Sequence, residues 1–99
     1  MKPRDESVID AKLSIQRALL GNVPPDLRAV AFSVDDKTLE IRCYFDGPIK
    51  EKDQESMSLM ETEVMSDYEP DFGVTMRCIR IDHPFGIPDD GIWVFERRE

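Results

Sequence analysis

The chain has 99 residues, 40% of them hydrophobic, which suits one domain (residues 1–99) with one real core and excludes both a second domain and a disordered chain. Its 21 acids against 13 bases give a net charge of -8, a sign that opposes nucleic acid and anionic membranes as partners and favours a basic protein surface. No apolar run approaches the ~20 residues of a membrane span, and the Met1–Glu6 start has no continuous apolar segment behind it, so no signal peptide is expected and the location is read as cytoplasmic.

Ser7 to Leu20 is predicted as the first helix, with Ser7 placed to cap it and Ile9, Leu13, Ile15, Leu19 and Leu20 at loosely helical apolar spacing. Gly21-Asn22 stops it and Pro24-Pro25 forbids continuation. Leu27 to Val34 is a predicted strand with Val30, Phe32 and Val34 on one face and Ala29, Ala31 and Ser33 on the other. After an Asp35-Asp36-Lys37 turn, Thr38 to Phe45 alternates Leu39, Ile41, Cys43 and Phe45 with Thr38, Glu40, Arg42 and Tyr44, the pattern of one buried and one wet face. The two strands form a hairpin. Tyr44, on the polar parity, is expected to be exposed and usable for contact, with packing against the second helix as the alternative.

A second helix is predicted from Glu51 to Tyr68, where Met57, Met60, Val64 and Tyr68 form a core-facing stripe about 80° wide. Asp53 in its first turn suits the helix dipole. Gly73 to Asp82 is a third strand. Its parity changes between Val74-Met76-Cys78 and Ile79-Ile81, for which a bulge near Cys78 is one explanation. His83 to Gly91, with two prolines and two glycines, is a loop, and Ile92 to Arg97 is a last strand carrying Trp93 and Phe95 as core candidates. The order α-β-β-α-β-β implies an α+β fold: one four-stranded antiparallel sheet with both helices packed on one face.

Little in the chain suggests catalysis. The one histidine, His83, precedes a proline in a loop, and no phosphate-binding loop or nucleophile elbow is present. Asp89-Asp90-Gly91 is too short for a calcium loop. No catalytic residue, metal ligand or cofactor is assigned. Cys43 and Cys78 lie in strand-like runs without metal-ligand spacing and are read as reduced core residues, able to face each other if their strands are adjacent.

The distribution of charge is more informative. Between residues 51 and 71 stand eight acids (Glu51, Asp53, Glu55, Glu61, Glu63, Asp67, Glu69 and Asp71) and one base, Lys52, while the rest of the chain holds thirteen acids and twelve bases. Acidity that served solubility only would have little reason to concentrate in one helix and its exit, although charged helix faces are often merely solvated. Helical geometry turns Leu59 toward the middle of the exposed face, an apolar anchor inside a charged rim. The expected partner-binding set is therefore Glu51, Glu55, Leu59, Glu63, Asp67, Glu69 and Asp71, with Tyr44.

The segments Leu27–Val30, Ile41–Gly47, Glu61–Val64, Ile79–Asp82 and Asp90–Arg98 together resemble a group of short bacterial proteins that includes immunity proteins of contact-dependent growth-inhibition and polymorphic toxin systems. The resemblance spans nearly the whole chain through strand and turn patterns. It implies a non-catalytic protein that binds and neutralises a cognate toxin domain, a nuclease with a basic cleft being one candidate. A chaperone-like or regulatory adaptor is the alternative, and a carboxylate-based enzyme or a plain assembly subunit are further rivals. A protein partner is expected, and no nucleic acid or membrane.

Overall fold

The computed structural model describes residues 4–89 and 91–99, with side chains from Ser7 onward. Expectations attached to Met1–Pro3, to the side chains of residues 4–6 and to Asp90 lie outside the described residues. The elements are α1 (Arg4–Leu19), β1 (Leu27–Asp35), β2 (Thr38–Phe45), α2 (Glu51–Met65), β3 (Gly73–Arg80) and β4 (Ile92–Glu96). Helix α1 begins before Ser7, so Ser7 lies inside the helix and does not cap it. It ends where Gly21 takes a positive φ of 77°, a conformation open to glycine without steric cost. Helix α2 stops at Met65, three residues short of the predicted end.

The sheet order is β3-β2-β1-β4. Strands β1 and β2 form the predicted antiparallel hairpin, and β4 adds antiparallel to the other side of β1. Strand β3, however, pairs with β2 in parallel, so the sheet is mixed and the expectation of an all-antiparallel sheet is corrected. The reason is the connection. A hairpin turn reverses the chain, whereas the helical segment between β2 and β3 carries it back to start again at the same end. The β2–β3 register runs without interruption from Thr38↔Gly73 to Phe45↔Arg80, so there is no bulge at Cys78. Val74, Met76 and Cys78 face one side and Ile79 faces the other because both sides are buried.

On one side, α1 and α2 cover Val30, Phe32, Leu39, Ile41, Cys43 and Phe45. Helix α1 contributes Ala11, Ile15, Ala18 and Leu19, and α2 contributes Met57, Met60 and Val64, the stripe read from the sequence. On the other side, Ala29, Ala31 and Tyr44 form a second cluster with Ile79, Ile81, Ile87 and Trp93. Strands β3 and β4 stand at opposite edges, so the chain from 81 to 91 must cross the whole sheet between them. The α2 crossover occupies the first face. A return crossover of the same hand must run over the second, and Ile81 and Ile87 are its contacts there. Tyr44 is consequently 2% exposed, and the expectation that it is available to a partner is corrected: the period-two pattern of β2 marks two buried faces, not one. Phe95 packs on the helix side and Trp93 on the other, across a register shift between Val30 and Ala31.

Gly91 ends the crossover against β1. A Cβ at this position would lie 2.8 Å from the Phe32 carbonyl oxygen and collide with the Arg42 guanidinium. Gly91→Ala is therefore expected to destabilise the fold by about 1–3 kcal/mol, as overpacking against backbone does. Chemical denaturation checks it, and an unchanged midpoint would refute the close approach.

Candidate functional site

The outward face of α2 is built by its inward one. Asp53, Met57, Met60 and Val64 are buried, which fixes the helix rotation. At 100° per residue the opposite direction falls on Glu55, Leu59, Thr62 and Ser66, with Glu51 and Ser58 beside them. Glu51, Gln54, Glu55, Ser58, Leu59 and Thr62 line one shallow surface depression. Leu59 is 61% exposed in this lining, as the helical geometry predicts. Glu51, Glu55 and Glu63 are exposed and make no ion pair among the described residues, so their charge is open to solvent.

The remaining expected site residues behave differently. Asp67 accepts a hydrogen bond from Ser14 Oγ at 2.6 Å and pairs with Arg17 at 3.1 Å, so it ties the turn after α2 to α1. Asp71 pairs with Lys37 at 2.7 Å, which holds its carboxyl below the usual carboxylate range and raises the lysine. Glu69 is exposed in the turn after α2, beyond the depression. Tyr68 is half-buried and stacks on Phe72 with ring centroids 4.5 Å apart. Tyr44 lies on the far face of the sheet. The structure thus brings together Glu51, Glu55 and Leu59, places Glu63 next to them, and separates Asp67, Glu69, Asp71 and Tyr44 from that group.

Sequence reasoning missed a second surface. Ile9, Leu13 and Leu20 are 56%, 53% and 77% exposed. Ile9 and Leu13, four residues apart, lie within about 40° of each other on α1, and Leu20 follows the helix's last residue. The signal was present, because the small residues Ala11, Ser14 and Ala18 form a competing inward stripe on which the helix can approach the sheet closely. Among the described residues no group of three or more His, Cys, Asp or Glu is placed to hold a metal ion. No helix among them is long and apolar enough to cross a membrane.

The arrangement defines a small α+β domain whose charge excess is concentrated in α2 and the segment that follows it, from residue 51 to residue 71. The family model of the MafI2 immunity proteins matches residues 8–99, and the chain belongs to that family. The resemblance to toxin-system immunity proteins is thereby shown, and with it an immunity role against a toxin, a protein partner and a family that is generally non-catalytic. No curated protein matches the chain.

Proposed function

We propose that this immunity protein neutralises its toxin by docking the outward face of α2 onto a basic surface of the toxin domain. Glu51, Glu55 and Glu63 supply the field that steers encounter, and Leu59 supplies the apolar anchor at short range. The observation that carries the reading is the exposed Leu59 in a depression flanked by Glu51 and Glu55, on a helix that together with its exit segment holds nearly all of the chain's excess charge. A nuclease is the toxin class whose substrate such acids would mimic, because a cleft shaped for phosphate is basic. A cytoplasmic location follows if the toxin acts on nucleic acid in the producing cell.

The test is a pull-down with the tagged protein from its native cell at low and at high salt, with bound proteins identified by mass spectrometry. One stoichiometric partner with a basic toxin domain, held more weakly at high salt, supports the reading. A stoichiometric toxin held equally at both salts removes the acidic helix from the mechanism. A second reading rests on the exposed Ile9-Leu13-Leu20 stripe, which suits an adaptor that holds apolar clients. Many loosely held proteins, insensitive to salt, would favour it.

A further inference from the structure

The two cysteines meet. The parallel pairing of β2 with β3 aligns Cys43 with Cys78, and both side chains belong to the core on the helix side. Paired residues on neighbouring strands stand ~4.8 Å apart, inside the range of about 4.4–6.8 Å between Cα atoms that a disulfide spans. Both thiols are free in this structure. Strand β3 is an edge strand, held by hydrogen bonds on one side only, so it can make the small shift that closing an S–S bond requires.

We propose that Cys43 and Cys78 are a modification site, a dithiol that a small-molecule or protein disulfide oxidises to a cross-strand disulfide between β2 and β3.

The two positions have unequal roles. Cys78 is only partly buried and within reach of an oxidant, whereas Cys43 is fully buried. The interaction between the two thiols lowers Cys78 from the ordinary thiol value, while the same interaction and burial push Cys43 up. Cys78 is therefore the thiol that engages first. Its thiolate attacks one sulfur of the oxidant's disulfide, that S–S bond breaks, and the departing sulfur leaves as a thiolate that takes up a proton. Cys43 then gives up its proton and attacks the Cys78 sulfur of the mixed disulfide, displacing the oxidant's second sulfur as a thiol. Two protein thiols are oxidised, one disulfide is reduced to two thiols, and both protons end on the reduced oxidant. The partly exposed Cys78 gives the external reagent its entry, and its buried partner completes the bond. Closure would tie together the two strands that flank α2 and so hold the ends of the crossover to each other.

The experiment uses the full chain, equilibrated in glutathione buffers of graded oxidised-to-reduced ratio, with intact mass and free thiols measured after acid quench. The expected product is a monomer lighter by two hydrogens with no free thiol. Its thermal midpoint should be raised above that of the reduced chain, as a cross-link across a long loop does. Cys43→Ala, which keeps the entry thiol and removes the resolving one, should stop as a stable glutathione adduct on Cys78. Retention of both thiols across the whole series, or accumulation of the adduct on the unaltered chain without ring closure, overturns the proposal. Both of those outcomes are read on the unaltered chain and do not depend on how well the variant folds.

Discussion

Arg28→Ala is expected to lower the unfolding free energy by about 2–3 kcal/mol, the loss that accompanies removal of a buried guanidinium and its charge-assisted hydrogen bonds. Arg28 sits where β1 shifts register against β2 between Leu27 and Ala29, and it is 3% exposed. Its Nε and Nη2 donate to the two carboxyl oxygens of Glu99 at 2.7 and 2.8 Å. Its Nη1 donates to the carbonyls of Ile81 and Phe85 at 2.7 and 2.8 Å. One guanidinium thus fastens both the start of the crossover loop and the segment after β4 to the first strand. A lysine cannot reproduce four donors in a planar fork, so Arg28→Lys should recover only a small part of the loss. Denaturant titration measures it, and amide exchange in the segment from Ile81 to Ile87 should quicken. A loss below about 1 kcal/mol would mean that the buried guanidinium is dispensable.

The same contact sets an acid limb. Hydrogen bonding from Arg28, opposed by some desolvation and helped by Arg97, holds the Glu99 carboxyl down at about 2, from an ordinary value of 4.5. A carboxyl depressed on folding stabilises the fold fully above its unfolded pKa and ceases to do so as pH falls through its folded one. Stability should therefore decline from about pH 4.5 toward pH 2, and Glu99→Gln should flatten that decline. Parallel acid titrations of the two chains, showing identical slopes, would remove Glu99 from the limb.

Charge reversal of the α2 face is the other large effect. Glu51→Lys with Glu55→Lys changes the local field by four units of charge while leaving the buried residues of the helix in place. Association with the toxin domain should slow at least tenfold at low salt and much less at high salt, because steered encounters are screened over about 10 Å at 0.1 M. Leu59→Asp should act differently, by speeding dissociation at either salt. Stopped-flow binding separates the two. If Leu13→Asp on α1 weakens binding and the α2 variants do not, the toxin engages the apolar stripe and the acidic helix is a solvated surface.

These expectations show where local pattern reaches and where it ends. The alternation of Leu39, Ile41, Cys43 and Phe45 and the spacing of Met57, Met60 and Val64 are local, and they marked β2 and the inward side of α2 correctly. The sign of the β2–β3 pairing is not local, yet a helix between two strands is itself a cue for parallel strands. The change of parity at Ile79 looked like an irregularity because only one buried face was assumed. A crossover loop rich in proline and glycine gave no sign that it would cover Tyr44. Among the acids, helical angle placed Glu51, Glu55 and Leu59 on one surface, but no spacing rule could show that Asp67 and Asp71 are engaged with Arg17 and Lys37, 50 and 34 positions away.

The placement of α2 has a consequence for how such a protein can change. The helix is the link between two hydrogen-bonded neighbours, β2 and β3, so the sheet sets where it starts and where it must return. Asp53, Met57, Met60 and Val64 hold it against that frame. Glu51, Gln54, Glu55, Ser58, Leu59 and Thr62 are outside the core. Substitutions among these six can rewrite the shape and charge of the exposed surface while the frame keeps its energy, since surface changes of this kind typically stay within about 0.5 kcal/mol. The fold thereby separates the residues that specify the architecture from those free to diverge, and one scaffold can carry many different surfaces.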